Sequence, residues 1–300
     1  MVTIGFVGAT GLMGHGIAKN IQAAGYPLRF TTRSGTGRVA DLLEAGAELV
    51  ADHAELGRTC DMVFVCVTAA SDVEQVVSGL LTQPKPGLII VDTSTSEPET
   101  TRRLADRCAK VDVTFVDAPL TLGPADAEAG TLNVLVGADD TVFERIEPVL
   151  RTFTANILRP GGTGAGHALK LLNNFVIQAN VAALAEAFTV AAKAGLDPQA
   201  VVDILTLGSA DSALLRGIGR TLHGDYTSMV FELNNARKDV RYYTRMAGEL
   251  DVPPVVGDSV HETLAIAAAM GFGDEYVPSM VKGVAKLNNV TVAAWQTDQT

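Results

Sequence analysis

The chain has 300 residues, of which 47% are hydrophobic and 19% charged, and its formal net charge is −11 at pH 7. That length suits about two domains, and the composition is that of a folded globular protein rather than a disordered one. The acidic balance leaves no basic field for nucleic acid, so we expect no nucleic-acid partner and expect local groups to hold any anionic ligand.

In the first half of the chain, short apolar and β-branched runs that predict strands alternate with helical periodicity. The predicted strands cover 2–7, 28–32, 62–67, 88–92, 114–118, 133–137 and 156–159. Strands that alternate with helices indicate a mainly parallel sheet covered on both faces. We therefore predict an α/β domain over residues 1–162.

The second half carries a different pattern after a break at Pro160-Gly161-Gly162-Thr163-Gly164. A long apolar helix is predicted from 165 to about 194, and no strand signal is convincing beyond it. Further helices are predicted over 198–207, 214–221, 231–249, 254–270 and 275–287. We predict an all-helical domain over 163–300 for substrate binding and oligomerisation, as a homodimer or homotetramer, because so much apolar helix surface needs cover.

Cysteine usage and the apolar runs bear on compartment and metal. The three cysteines are odd in number and lack metal-ligand spacing, and the five histidines are dispersed, so we predict reduced thiols and no metal. The start of the chain does not read as a signal peptide, and charges or glycines interrupt the apolar runs before about 18 residues. We expect a cytoplasmic protein with no membrane partner.

A glycine loop, Gly8-Ala9-Thr10-Gly11-Leu12-Met13-Gly14, lies between the first predicted strand and helix. Glycines permit a tight turn and a close backbone approach, and the free amides at the start of the helix face a pyrophosphate. We therefore predict a Rossmann-type dinucleotide site with contacts from Gly8, Thr10, Gly11, Leu12 and Met13. The spacing G-x-x-G-x-x-G has one residue more than G-x-G-x-x-G, which leaves its phosphate geometry open.

The end of the second predicted strand indicates which nicotinamide cofactor binds. It reads Phe30-Thr31-Thr32-Arg33-Ser34, without the Asp or Glu that usually binds the ribose 2′-hydroxyl of NAD. Arg33 can stack on the adenine or pair with a 2′-phosphate, to which Ser34 can donate, and Arg38 is a third candidate contact. We predict NADP(H).

Three further motifs follow the glycine loop in a fixed order. They are DTSTSEP from Asp92, DAPLTLG from Asp117 with Gly130-Thr131-Leu132 after it, and GAGHALKLLNN from Gly164 to Asn174; a Lys238-Asp239 pair comes later. In this order the motifs resemble those of the 3-hydroxyisobutyrate dehydrogenase family of β-hydroxyacid dehydrogenases, within the 6-phosphogluconate dehydrogenase-like superfamily. The resemblance covers nearly the whole chain.

The resemblance implies hydride transfer between the nicotinamide and a small anionic hydroxyacid or aldehyde-acid. Lys170 would be the general acid and base, and Asn174, one helical turn later on the same face, would orient the substrate. His167, three residues before Lys170, is the alternative proton donor because its intrinsic pKa is convenient, although its place at a helix start suggests another role.

The resemblance also implies the other contacts. Thr121 and the Gly123 amide would hold the acid end of the substrate, Thr95 would lie near the nicotinamide, and Lys238 near the cofactor. The family usually has S-G-G in this substrate loop, so Leu122 adds bulk and indicates an altered substrate. Phe231 is a candidate pocket wall, with packing in the core as the alternative.

Two other functions remain open on the sequence. Imine reductases share the two-domain plan and the NADP loop but typically lack the catalytic lysine, so Lys170 with Asn174 favours the dehydrogenase. A non-catalytic NADP(H)-binding sensor is the second alternative, against which the intact lysine motif argues.

Overall fold

The computed structural model describes residues 2–32 and 37–294. The chain divides into two compact units, Met1–Lys170 and Leu171–Thr300. The strands of the first unit are β1 (Ile4–Val7), β2 (Leu28–Thr31), β3 (Glu48–Leu49), β4 (Met62–Val65), β5 (Ile89–Asp92), β6 (Thr114–Asp117), β7 (Leu120–Thr121), β8 (Leu132–Gly137) and β9 (Thr154–Gly161). Its helices are α1 (Leu12–Ala23), α2 (Ala40–Glu44), α3 (His53–Thr59), α4 (Ala70–Leu80), α5 (Pro98–Ala109), α6 (Pro124–Ala129) and α7 (Asp140–Leu150).

These strands form one sheet of nine strands within the described residues, in the order β3-β2-β1-β4-β5-β6-β8-β7, with β9 paired to β8. Pairing is parallel from β3 to β6 and between β8 and β9, and antiparallel where β8 meets β6 and β7. The predicted α/β fold of the first half is confirmed. The sequence analysis missed β3 and β7, because strands of two residues are too short to show a period.

Apolar residues pack against both faces of this sheet. Phe6 and Phe64 stack with ring centroids 6.3 Å apart, and Phe153 meets Phe64 edge-on at 5.8 Å. The neighbours of Phe64 in β4, Val63 and Val65, belong to a second cluster, because successive residues of a strand point to opposite faces. A sheet buried on both faces explains why its strands read as continuous apolar runs.

The second cluster also holds two of the three cysteines. Cys60 and Cys108 have no exposed surface. Burial raises the pKa of Cys60 to about 11 and that of Cys108 to about 12, because the thiolate is poorly solvated there. Both side chains therefore stay protonated as thiols at neutral pH.

A long helix, α8 (Ala165–Lys193), begins in the first unit, and most of its residues belong to the second. The second unit continues with α9 (Pro198–Thr206), α10 (Ala213–Gly219), α11 (Leu233–Glu249), α12 (Val255–Ala267) and α13 (Met280–Leu287). Between residues 171 and 294 the only strand-like pairing is an isolated bridge between Glu232 and Tyr276. The predicted all-helical second half is confirmed. Its core includes Val181, Phe188, Leu233, Leu264, Val277 and Met280.

Helix α8 is also long and apolar enough to cross a membrane. It has 29 residues and a window of mean hydropathy 1.5, of which 33% is buried. A single helix of this kind is weak evidence, since the core helix of a soluble protein meets the same criteria. The expectation of no membrane partner stays a prediction.

Close packing of α1 on α6 depends on Gly16. A Cβ at Gly16 would lie 2.5 Å from the carbonyl carbon of Ala127 and 2.6 Å from its oxygen. These are backbone atoms that cannot rotate away, so Gly16→Ala should lower the free energy of unfolding by about 1–3 kcal/mol. Urea unfolding followed by circular dichroism measures the change.

The control is the same substitution at Gly248 of α11, where a Cβ would meet nothing within 4 Å. Gly248→Ala should be neutral or stabilising by up to about 1 kcal/mol, as expected for an open helical glycine. Equal stability of both variants and the wild type would contradict the described packing.

Candidate active site

The predicted site residues of the first unit follow the carboxyl ends of neighbouring parallel strands. Val7 pairs with Val65, Val65 with Asp92 and Asp92 with Asp117, so β1, β4, β5 and β6 end in register. The glycine loop follows β1, Thr95 follows β5, and β7 with the substrate loop follows β6. Open parallel sheets bind their ligands outside this edge.

The glycine loop makes a tight turn whose shape only glycine allows. Gly8 has φ +99°, and a Cβ there would lie 2.0 Å from the carbonyl oxygen of Cys66. The Gly11 amide donates to the Gly8 carbonyl at 2.9 Å, which closes a turn over residues 8–11. Gly14 packs on the same carbonyl, since its Cβ would lie 2.2 Å away.

The start of α1 can receive an anion. Gly11 is its N-cap and provides no side-chain acceptor. The first amides of a helix have no partners within the helix, and they attract a phosphate both as donors and through the helix dipole. The loop therefore fits the pyrophosphate of a dinucleotide.

The structure describes some of the other predicted cofactor residues but not all of them. Thr10, Met13 and Thr95 are half-buried, whereas Leu12 is exposed. Arg33 and Ser34 lie outside the described residues, so the structure does not place the two side chains on which the choice of NADP depends. Arg38, the third candidate, is exposed.

His15, next to Gly14, joins α1 to two other helices. Its Nδ1 lies 2.6 Å from Glu128 Oε1 on α6, and its Nε2 lies 3.1 Å from each carboxylate oxygen of Asp41 on α2. Burial lowers the pKa of His15, but hydrogen bonds to Glu128 and Asp41 outweigh it, and the pKa is raised overall. The sequence analysis gave this histidine no role, because both acids are distant along the chain.

Asp117 holds the first turn of α8. It is fully buried, and its Oδ1 accepts the Gly164 amide at 2.7 Å while Oδ2 accepts the His167 amide at 2.9 Å. These charge-assisted bonds satisfy two of the donors that a helix start leaves unpaired. The carboxyl end of β6 thereby fixes where α8 begins.

The His167 ring is enclosed by the same part of the first unit. It has no exposed surface, its Nδ1 lies 2.6 Å from Thr101 Oγ1, and its Nε2 lies 3.2 Å from the Ser94 carbonyl oxygen. Asp92 Oδ2 lies 3.7 Å from Nε2. Because both ring nitrogens contact protein atoms, the geometry favours an anchoring role for His167 over the alternative of a proton donor to substrate.

Asp92 is a buried carboxyl beside this ring. Burial raises its pKa, and the nearby His167 and the hydrogen bond to Ser94 oppose that shift. Its Oδ1 accepts the Ser94 amide at 2.9 Å, whereas its Oδ2 has no hydrogen-bond partner among the described residues. The motif DTSTSEP thus contributes the buried Asp92 beside His167 as well as the candidate cofactor residue Thr95.

Lys170 follows His167 on α8 and is half-buried at the last position of the first unit. In the second unit, Asp239 joins Asn174 through a hydrogen bond and Lys238 through an ion pair. Asn174 Nδ2 donates to Asp239 Oδ2 at 2.7 Å, and Lys238 Nζ lies 2.7 Å from Asp239 Oδ1. The predicted Lys238-Asp239 pair therefore orients the Asn174 amide.

Phe231 lies in the second unit just before α11. It is half-buried and packs against the helical core. Its carbonyl accepts the Val277 amide at 2.8 Å. These contacts favour core packing, the alternative to a pocket wall.

The Gly123 amide of the substrate loop has a partner within the protein. Its amide donates to Asp126 Oδ2 at 3.1 Å and caps α6. The predicted contact between this amide and the substrate acid would compete with Asp126 for the same donor, and it stays a prediction. The short spacing from Gly123 to Asp126 at the start of a helix was the available signal.

Leu122 lies between Thr121 and Gly123 with φ +76° and a side chain that is 58% exposed. The left-handed region is strained for a residue with a Cβ, by roughly 1 kcal/mol. Strain of this kind persists where the surrounding structure holds it, often at binding sites. The backbone keeps the conformation that favours glycine while carrying an apolar side chain.

Comparison with known proteins gives the class and the family. Residues 3–162 match the family described as the NAD binding domain of 6-phosphogluconate dehydrogenase. Residues 164–284 match the NAD-binding domain of NADP-dependent 3-hydroxyisobutyrate dehydrogenase. Together the sheet edge, the glycine loop and these matches define an oxidoreductase with a nicotinamide dinucleotide cofactor that acts on CH–OH groups. The chain belongs to the 3-hydroxyisobutyrate dehydrogenase-like family of β-hydroxyacid dehydrogenases.

Relatives of known function support this. The chain is 31% identical to 2-(hydroxymethyl)glutarate dehydrogenase of Eubacterium barkeri over 98% of this chain and 99% of that protein. It is 34% identical to 2-hydroxy-3-oxopropionate reductase of Escherichia coli (strain K12) over 82% and 85%.

Solved structures share the fold. A Mycobacterium tuberculosis 3-hydroxyisobutyrate dehydrogenase with L-serine gives a TM-score of 0.85 at 24% identity, covering 94% of this chain and 98% of that one. An imine reductase from Pseudomonas sp. gives 0.59 at 21% identity, covering 94% and 99%. At these identities both likenesses concern the fold alone.

Leu122 offers a matched pair of variants. Leu122→Gly and Leu122→Ala both remove the apolar side chain, but only glycine relieves the positive φ. Leu122→Gly should therefore be more stable than Leu122→Ala by about 0.5–1 kcal/mol, the strain relieved less the added freedom of the unfolded chain. Thermal unfolding of both variants measures it, and greater stability of the alanine variant would contradict the described backbone.

Proposed function

We propose that the protein is an NADP(H)-dependent β-hydroxyacid dehydrogenase, or reductase of the corresponding aldehyde-acid. The observation that carries this proposal is the open helix start of α1 at the same sheet edge as the start of α8, which carries Lys170. One end of this edge suits a pyrophosphate, and the other carries a cationic proton donor.

The compounds named for the relatives share a common chemical core. The compounds 2-(hydroxymethyl)glutarate and 3-hydroxyisobutyrate both have the form HOCH₂–CHR–COO⁻, and 2-hydroxy-3-oxopropionate is OHC–CHR–COO⁻ with a hydroxyl as R. We infer that this chain acts on the same core with a different R, because Leu122 replaces the glycine usual in the substrate loop. The physiological substrate would be small and anionic.

In this mechanism the bound nicotinamide supplies or accepts the hydride. Lys170 donates a proton to the oxygen that becomes a hydroxyl during reduction, and removes it during oxidation. Asn174, held by Asp239, orients that oxygen, and the Thr121 hydroxyl binds the substrate carboxylate. By the family resemblance, Thr95 would lie near the nicotinamide and Lys238 near the cofactor.

The role of Lys170 is tested with a panel of glyoxylate, succinic semialdehyde, 2-hydroxy-3-oxopropionate and 2-methyl-3-oxopropionate. Lys170→Ala should reduce kcat by about 10²- to 10⁴-fold, the usual contribution of a positioned acid, and should still bind NADPH. NADPH absorbance gives the rates and fluorescence titration gives the binding. Lys193→Ala, an exposed lysine in the last turn of α8, is the control and should keep its rate.

Two outcomes would replace this proposal. Reduction of cyclic imines, equally fast in Lys170→Ala, would indicate an imine reductase. NADPH binding without turnover of any compound would indicate a non-catalytic sensor.

The preference for NADP(H) rests on Arg33 and Ser34 together with the absence of an acid at the end of β2. Arg33→Ala should raise the dissociation constant of NADPH by about 10- to 100-fold, the loss of a charge-assisted bond to the 2′-phosphate, and leave that of NADH nearly unchanged. Arg58→Ala, which removes an exposed arginine of the same unit, is the control for a change in net charge. Equal weakening of NADPH and NADH would contradict the assignment.

We further propose that the protein is cytoplasmic and that its two functional domains meet at residue 162. The apolar surface of α8 supports a third proposal, that the protein forms a homodimer or homotetramer. Val176 is 53% exposed and Val190 59% exposed on this helix. Covering such residues with a second copy would remove apolar surface from water. Light scattering distinguishes the monomer from either assembly.

A further inference from the structure

Three polar side chains lie side by side across the last three strands of the sheet. Thr121 of β7 pairs with Asn133 of β8, and Asn133 pairs with Asn156 of β9. Direct partners on neighbouring strands point to the same face, so the three side chains form a row. Thr121 and Asn133 are half-buried, and Asn156 is exposed.

The hydrogen bonds along this row have one direction. Asn156 Nδ2 donates to Asn133 Oδ1 at 2.8 Å, and Asn133 Nδ2 donates to Thr121 Oγ1 at 3.0 Å. Asn156 thereby fixes which end of the Asn133 amide faces Thr121. If the Asn133 amide alone were reversed, its Nδ2 would face the Nδ2 of Asn156, so that two donors would meet.

The consequence for Thr121 follows from the chemistry of a hydroxyl, which has one proton and two lone pairs. Because Oγ1 accepts from Asn133, the proton is directed elsewhere, and no residue in the described ranges accepts it. A hydroxyl that accepts a hydrogen bond is polarised into a better donor.

We propose that Asn133 is a positioning residue that, with Asn156 behind it, makes the Thr121 hydroxyl an obligate donor to the substrate carboxylate. The proposal rests on the proposed function and specifies how this site selects an acid. Asn133 touches no substrate; it acts through Thr121.

The main test compares Asn133→Asp with the wild type. The carboxylate has the shape of the amide and still accepts from Asn156, but it also accepts the Thr121 proton and withdraws it from the substrate. The KM for 2-methyl-3-oxopropionate should rise at least about tenfold, the effect of losing a hydrogen bond to a charged group, while kcat changes by less than about threefold. Gln83→Glu, an exposed side chain of the same unit, is the control for the added charge.

A neutral substrate separates this role from a structural one. Isobutyraldehyde has the same skeleton with a methyl group in place of the carboxylate, so its KM should not change in Asn133→Asp. The dissociation constant of NADPH should also be unchanged. An equal rise in KM for both aldehydes would overturn the proposal.

A double-mutant cycle tests the route through Thr121. In a Thr121→Val background Asn133→Asp should have only the effect of its charge, whereas in Thr121→Ser, which keeps the hydroxyl, its full effect should return. Asn156→Leu leaves β8 untouched and should raise the same KM by a smaller factor. Additive effects of the Thr121→Val and Asn133→Asp substitutions would overturn the proposal.

Calorimetry of the binding of isobutyrate, an acid without the reacting hydroxyl, to the enzyme with NADP⁺ provides a readout besides activity, and Asn133→Asp should weaken this binding at least about tenfold. A wild type that neither turns over nor binds these acids would overturn the proposed function and this inference together. A wild type that does both while the Asn133 variants match it would overturn this inference alone.

Discussion

The geometry of the site in the first unit depends on the hydrogen bonds that the buried carboxylate of Asp117 accepts. It accepts two amides at the start of α8, at 2.7 and 2.9 Å, and is fully buried. A Cβ at Gly137 would lie 2.4 Å from its Oδ1, and one at Gly166 would lie 2.9 Å from its Oδ2. A buried charge needs such complete pairing, and close pairing needs backbone without side chains at both positions. Because a helix is stiff, fixing its first turn also fixes the position of Lys170, which follows one turn later.

The two helix starts at this edge of the sheet are used in opposite ways. At α1 the N-cap is Gly11, which offers the first amides no side-chain acceptor, so they remain available for an anion from outside. At α8 the protein's own carboxylate occupies the equivalent place. The same unpaired donors therefore create a binding site in one helix and a rigid support in the other.

The sequence was enough to predict the α/β first half, the helical second half and the glycine loop, since each depends on local periodicity or on a compact motif. It was not enough for the contacts of His15 with Asp41 and Glu128, or for the row through Thr121 and Asn133. Those contacts join residues far apart in the chain, and a single sequence carries no register between strands.

The partner of the Gly123 amide escaped the sequence analysis for a different reason. The resemblance implied that the Gly123 amide was free for substrate, but Asp126 caps the following helix and accepts it. Competition between a local cap and a distant ligand for one donor is decided by geometry. At Leu122 the sequence predicted a change of substrate, and the structure adds that the backbone retains a conformation suited to glycine.

Because Cys60 and Cys108 are buried, their reactivity can be used to follow the transient unfolding of the first unit. Both thiols lie in the cluster on one face of the sheet, and all three cysteines of the chain belong to this unit. A disulfide reagent reacts with thiolates, and burial keeps both thiols protonated. The reagent can therefore label these two positions only when the cluster unfolds and exposes them. The rate at which they are labelled therefore measures the transient unfolding of the cofactor-binding half, without any signal from the helical half.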